Sequence, residues 1–204
     1  MKKQSIIAVI FLIFLFSVHG NEKKEPLHVF LMIDKSLSME EDYSFSFLQD
    51  WLNKNFLPNN VKKGDSLTVF FFYGETKRVF NKTINTEADL IEIQSIISKE
   101  KPNGPFTDIG LAMDSLKEAV QNTKGLPIAL IFSDLIQEAA YPSKYAGTYY
   151  DFAERYLNED RVFPLKENYY QVTLQLERPE TIEKRAKTIY TRIKDSTEEP
   201  LYRQ

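Results

Sequence analysis

Three segments of this chain are apolar on both faces: Leu27 to Ile33, Leu67 to Tyr73 and Pro127 to Phe132. A strand with no polar face has to be covered on both sides, which is the situation of a strand inside a parallel sheet. Stretches of helical period lie between and after these strands. Phe45, Leu48, Leu52 and Phe56 recur at helical spacing within Glu41 to Phe56, and Pro58-Asn59-Asn60 is expected to end that helix. Asn85-Thr86 caps a second helix with Leu90, Ile93 and Ile97 on one stripe. Asp108 to Val120 reads as a third, with Ile109, Ala112, Leu116 and Ala119 inward. Lys77 to Ile84 alternates loosely, as an edge strand does, and Tyr169 to Leu176 also alternates. A helix is expected near Tyr149 to Leu157. A last one starts at Pro179 with Ile182, Ala186, Ile189 and Ile193 inward. Strands that alternate with helices predict an α/β fold: a three-layer, doubly wound, mostly parallel sheet, with helices on both faces and one antiparallel edge strand.

The length of 204 residues suffices for one domain with a full core. Hydrophobic residues at 43% and charged residues at 27% are an ordinary globular balance, so the body of the chain is expected to be ordered. The formal net charge of −3 offers no concentrated basic face, which argues against nucleic-acid binding.

The N-terminus carries an address. Lys2 and Lys3 precede a nearly unbroken apolar run from Ile6 to Val18. That run is shorter than the about 20 residues a bilayer span takes, and it suits the core of a secretory signal. Val18-His19-Gly20 then fits a cleavage site. The expectation is a signal peptide over 1–20 and a single mature domain over 21–204, with its core at about 27–195. An uncleaved anchor is the alternative. The chain has no cysteine, so it forms no disulfide and carries no lipid on a cysteine. Export without disulfides points to a bacterial periplasm or cell surface.

Three polar clusters follow apolar elements or open helices: Asp34-Lys35-Ser36-Leu37-Ser38, Thr107-Asp108-Ile109-Gly110, and Ser133-Asp134. Their candidate ligand atoms are all oxygens, and the only histidine after Gly20 is His28, inside a strand. Oxygen ligands suit magnesium, manganese or calcium and argue against zinc or copper. Alternate side chains of a D-x-S-x-S turn can converge on one point. Hydroxyls are neutral ligands, so a site with only two carboxylates leaves the cation able to accept another negative oxygen from outside.

These residues resemble the von Willebrand factor A family, whose metal-ion-dependent adhesion site (MIDAS) joins a D-x-S-x-S turn, a Thr and an Asp. The matching positions are Asp34, Ser36, Ser38, Thr107 and Asp134. The flanks are similar too: Val29 to Ile33 before the turn, Gly64-Asp65 before the second strand, Gly104 through Leu111, and Leu130 to Asp134. A lone D-x-S-x-S is a weak signal. Three elements in the right order, each after the right kind of element, are far harder to obtain by accident. The competing reading is that these residues only cap helices and make turns. Leu37 and Leu135 stand where many members have Gly, which bears on loop shape. The resemblance implies that Ser36 and Ser38 contact the metal directly, that Thr107 does so in one state, and that Asp34 and Asp134 act largely through water. It also implies that the first strand lies beside the strand ending at Asp134, with the sheet order reversing between them.

The function this implies is a binding module, not an enzyme: an exported domain whose cation accepts a carboxylate from a partner protein or surface ligand. Two other classes compete. The runner-up is a metal-dependent hydrolase: Asp34 after a first strand resembles the aspartate-nucleophile phosphatases, but those need a second Asp two residues on, where this chain has Ser36. A serine hydrolase would need a G-x-S-x-G elbow and a placed histidine base, and the chain offers neither. In the third reading the protein is a structural part of an envelope assembly and the metal only stabilises the fold. Lys35 reads as a solvated lysine or a charge that steers acidic partners. Tyrosines 141, 145, 149, 150 and 156, with Phe152, either frame a binding face or pack a long connection. Asn81-Lys82-Thr83 fits a glycosylation sequon but is discounted in a chain of bacterial character.

Overall fold

The computed structural model describes residues 26–147 and 170–175. The expected signal segment and the helices expected near Tyr149 and from Pro179 lie outside the described residues.

Five strands form one sheet: β1 (Leu27–Asp34), β2 (Ser66–Phe72), β3 (Thr76–Thr83), β4 (Leu126–Ser133) and β5 (Tyr170–Gln175). Their spatial order is β3-β2-β1-β4-β5. β1 is central and pairs in parallel with both neighbours, Val29 standing opposite Leu67 on one side and Ile128 on the other. β4 pairs in parallel with β5, and β3 runs antiparallel to β2. This is the expected α/β sheet, mostly parallel with one antiparallel edge strand.

The doubly apolar strands are explained by two separate cores. Alternate residues of a strand point to opposite faces. Leu27, Val29, Leu31 and Ile33 of β1 pack with Phe45, Leu48 and Trp51 of α1 (Ser44–Trp51) and with Ile93 and Ile97 of α3 (Glu87–Lys99). Phe30 and Met32 face the other way, where they join Phe70, Phe72, Ala129 and Ile131 under α4 (Ile109–Gln121). That helix contributes Ile109, Ala112, Met113, Leu116 and Val120. Each face of the sheet therefore carries helices, and three layers result. Trp51 reaches under the sheet to sit edge-on against Phe132 of β4, with ring centroids 6.0 Å apart.

One local expectation needs correction, and one has an explanation. The first helix does not stop before Pro58. A 3-10 turn (Leu37–Tyr43) leads into α1, a π-helical turn (Leu52–Phe56) follows, and α2 (Leu57–Asn60) carries Pro58 in its first turn. The wide turn closes with the Leu57 amide donating to the Leu52 carbonyl, and a proline at the start of the short helix lacks only an amide that needs no intrahelical partner. In β3, the loose alternation has a cause: the register slips between Val69 and Phe70, so Phe80 opposes the first and Arg78 the second, leaving Val79 as a bulge.

The second helix is capped as read. The Asp89 carboxylate accepts from the Thr86 amide at 2.9 Å and from the Asn85 amide at 3.1 Å.

Parallel strands deliver their carboxyl ends to one edge of the sheet. Asp34 ends β1, and Ser133-Asp134 ends β4 beside it. From β1 the chain moves outward to β2 and β3, then returns to β4 on the other side, so the order reverses between β1 and β4. Crevices for ligands open at such a point.

Candidate functional site

Asp34 is the last residue of β1 and is fully buried. Its carboxylate turns into the edge. The Ser36 amide donates to Oδ1 at 2.8 Å, and the Ser133 hydroxyl donates to Oδ2 at 2.6 Å. The first bond bends the chain back on itself and carries Ser36 and Ser38 to the same side, where their hydroxyls lie 3.0 Å apart. Ser36 is buried and Ser38 half-buried.

Lys35, between them, behaves as neither expected alternative. Its amide donates to the Phe72 carbonyl at 2.9 Å, and its ammonium pairs with Glu100 at 2.5 Å. It also lies 5.6 Å from the Phe71 ring centroid and 5.9 Å from that of Tyr73. With 12% of its side chain exposed, it is neither a solvated lysine nor a free steering charge.

The loop before α4 is drawn against this turn by backbone bonds. The Asn103 and Gly104 amides both donate to the Lys35 carbonyl, at 3.0 and 3.1 Å, and the Leu37 amide donates to the Gly104 carbonyl at 2.8 Å. Gly104 is required by contact: a Cβ there would meet the Tyr73 Cβ at 2.2 Å. Thr107 is buried, and its carbonyl accepts from the Glu138 amide at 2.7 Å. Asp108 is the N-cap of α4. Its Oδ1 accepts from the Leu111 amide at 3.0 Å, and its other oxygen accepts from the Ser143 hydroxyl.

The third loop leaves β4. Asp134 Oδ1 accepts from the Ile136 amide at 3.0 Å, while Oδ2 is buried with no hydrogen-bond partner. Leu135 adopts φ +66°, a left-handed conformation that favours glycine, which accounts for the glycine often found there in the family it resembles. Gln137 then reaches across to α4. Its Oε1 accepts from the Ile109 amide at 2.6 Å and its Nε2 donates to Asp108 at 3.3 Å.

The five sequence-derived candidates thus sit on three loops at one edge. Asp34, Ser36 and Ser38 are joined by direct hydrogen bonds within the turn. Asp134 directly follows Ser133, whose hydroxyl is bonded to Asp34. Thr107 is tied by backbone on both sides, through Gly104 to the turn and through Glu138 to the Asp134 loop. Two residues that shape this arrangement were not singled out as site residues. Ser133 was readable, being the last residue of β4 and next to Asp134. Gln137 carries no sequence signal, because its role depends on a partner far along the chain.

The electrostatics of the edge are unbalanced. Burial raises the Asp34 carboxyl to about 7, and the charge of Asp134 adds to the rise, against the opposing hydrogen bonds from Ser133 and Ser36. Among the described residues, the groups that shift Asp34 include no positive charge. A partnerless buried carboxylate oxygen beside a second desolvated carboxylate is costly unless a cation joins them. Among the described residues no group of three or more His, Cys, Asp or Glu gathers. The chemistry here is two carboxylates with neutral hydroxyls, a donor set that fits a hard divalent cation.

No protein-family model matches the sequence. An uncharacterized protein of Treponema pallidum (strain Nichols) is 33% identical over 179 residues, which is 86% of this chain and 80% of that protein. The chain belongs to the family of that treponemal protein. Among solved structures, von Willebrand factor type A from Catenulispora acidiphila matches with a TM-score of 0.50 at 13% identity, over 58% of this chain and 28% of that one. A zinc-occupied MIDAS form of proximal thread matrix protein 1 from the mussel byssus matches with a TM-score of 0.44 at 20% identity, over 57% of this chain and 33% of that one. The PilB minor pilin of Streptococcus sanguinis matches with a TM-score of 0.49 at 17% identity, over 55% of this chain and 30% of that one. The match spans about a third or less of each of these solved chains. The fold of this member of the treponemal family is von Willebrand factor A-like.

Proposed function

We propose that this protein is an exported, divalent-cation-binding interaction module and that it is not an enzyme. The carrying observation is the buried, partnerless Oδ2 of Asp134, one residue after the Ser133 hydroxyl that is bonded to the buried Asp34. Ser36, Ser38 and Thr107 would supply neutral oxygens, and Asp34 and Asp134 the charge. A bound magnesium, manganese or calcium ion supplies a Lewis-acidic position for a carboxylate oxygen of a partner protein or surface ligand. The chain's own residues do the rest. Ser133 and the Ser36 amide orient Asp34, the Gly104 contacts hold the turn, and Gln137 with Glu138 fix the third loop against α4.

Export to the periplasm or cell surface is part of this reading and rests on the N-terminal apolar run and the absence of cysteine. No helix among the described residues is long and apolar enough to cross a membrane.

Calorimetric titration of the protein with magnesium, manganese and calcium tests the proposal. One cation per chain, with affinity lowered by about 100-fold in Asp34→Ala and Asp134→Ala, is the expected result. A chain that takes up none of the three overturns it. Partner binding that survives EDTA assigns the metal, if bound, to stability alone.

A further inference from the structure

Five large hydrophobic side chains are exposed among the described residues: Leu37, Ile91, Phe106, Ile136 and Tyr141. Three of them lie within two residues of a candidate ligand. Leu37 separates Ser36 from Ser38, Phe106 precedes Thr107, and Ile136 follows Asp134 by two. They are exposed by 50%, 46% and 40%. Each comes from a different one of the three loops that build the edge.

These residues are held in place by the bonds that assemble the site. The Leu37 amide is bonded to the Gly104 carbonyl. Phe106 is bracketed by Gly104, bonded to Lys35, and by Asp108, whose amide donates to the Tyr73 carbonyl at 2.8 Å. Ile136 is bonded to Asp134 through its own amide and is followed by Gln137 and Glu138, both anchored to the start of α4 or the loop before it. Apolar side chains on pinned backbone lose little freedom on binding, which makes them effective contacts. Apolar exposure of this kind around a polar centre marks an interaction surface.

The charges nearby narrow the partner. Lys35 is committed to Glu100. Among the described side chains, the exposed charges within four residues of a candidate ligand are Glu40 and Glu138, both acidic. A cation held at the centre attracts one carboxylate, while the rim repels a second.

We infer that this edge recognises a single Asp or Glu carboxylate flanked by bulky apolar side chains on a partner protein, with Leu37, Phe106 and Ile136 contacting the flanks. This rests on the cation reading above and sharpens it from "a carboxylate" to a carboxylate in an apolar setting. Polyacidic segments are disfavoured by Glu40 and Glu138, and isolated polar acids gain nothing from the rim.

The test uses the full chain in excess magnesium and three probes: acetyl-Leu-Glu-Phe-amide, acetyl-Ser-Glu-Ser-amide and a hexaglutamate peptide, followed by NMR titration. The apolar-flanked peptide binds at least about tenfold tighter than the other two, since each buried methylene adds to affinity. EDTA abolishes that binding. A Leu37→Ser, Phe106→Ser, Ile136→Ser variant brings it down to the level of the serine-flanked peptide without changing magnesium affinity. Equal affinity for the three probes, or a preference for hexaglutamate, with magnesium bound, overturns the apolar rim while leaving the cation site standing. A chain that binds no magnesium overturns both. Cation-independent attachment to phosphatidylcholine vesicles, lost in the same variant, overturns the protein partner and reassigns the apolar loops to a lipid surface.

Discussion

The sheet treats carboxylates differently at its two edges. At the amino edge, Asp65 is buried with both oxygens occupied: the Leu27 amide donates to Oδ1 at 3.1 Å and the Lys62 amide to Oδ2 at 2.9 Å. At the carboxyl edge, Asp34 is desolvated beside a like charge, and one oxygen of Asp134 has no partner. The backbone repeats the contrast. The turns entering β2 and β4 take positive φ at Gly64 and Gly125, at +99° and +89°, where glycine bears it without strain. The loop leaving β4 takes it at Leu135, at +66°. One edge closes its hydrogen bonds internally and is built for stability. The other keeps a polar demand and a strained residue, the condition of a site that completes itself with a ligand.

Mutations at the two edges should therefore separate stability from binding. Asp65→Ala strands two amides and is expected to cost about 3 kcal/mol of unfolding free energy. Cation affinity stays unchanged, as chemical denaturation and calorimetry would record. An equal loss of cation affinity would show that the edges are not independent. Asp34→Ala gives the opposite pattern. It weakens cation binding by about 100-fold, through loss of charge and of the turn's anchor. The metal-free protein melts close to wild type, because relief of a desolvated carboxylate and of its repulsion by Asp134 offsets the two hydrogen bonds lost from Ser36 and Ser133. A variant that unfolds in EDTA where wild type does not would make Asp34 a structural residue instead.

A smaller effect belongs to the amino edge alone. His28 is stacked on Phe30, with ring centroids 4.2 Å apart, and bonded to the Thr68 hydroxyl at 2.7 Å. Burial lowers it from 6.5 to about 4. Between those values the unfolded chain takes up a proton that the folded one refuses. The stability from the neutral ring is complete above about pH 6.5 and is lost as pH falls toward 4, by roughly 1–2 kcal/mol after allowing for its partial exposure. Wild type minus His28→Gln, melted from pH 7 to 4, isolates that slope, and parallel curves would refute it. The smallest effect is at Leu135. Asn tolerates the left-handed conformation better, so Leu135→Asn stabilises the metal-free protein by less than about 1 kcal/mol, read as a raised melting point. A clear loss would mean that the packing of Leu135 on the sheet outweighs its strain.

The layered fold was legible because a strand feeding two cores has to be apolar throughout. β1 shows this, with Val29 and Leu31 serving one face and Phe30 and Met32 the other. Strand ends were readable for the same reason, and Asp34 and Ser133-Asp134 were placed at one edge once the strands were taken as parallel. Features set by pairing across long stretches of chain were not legible. Lys35 was misjudged because its partner, Glu100, is 65 residues away. Gln137 was passed over because the amide it caps is 28 residues upstream. Pro58 misled because proline marks a break locally, while the π-helical turn that absorbs it is a matter of backbone register. The family resemblance directed attention to Thr107, since a buried threonine before an N-cap otherwise reads as a turn residue.

The single tryptophan lends the protein an optical handle. Trp51 meets Phe132 edge-on, and Phe132 is followed directly by Ser133 and Asp134. No second indole dilutes its emission. Any repositioning of the end of β4 alters the surroundings of that ring from the far face of the sheet, about two residues from the oxygens in question and out of reach of a quencher in solution. Events at the carboxyl edge can thus be followed by intrinsic fluorescence in the unlabelled chain, with its eleven tyrosines left unexcited.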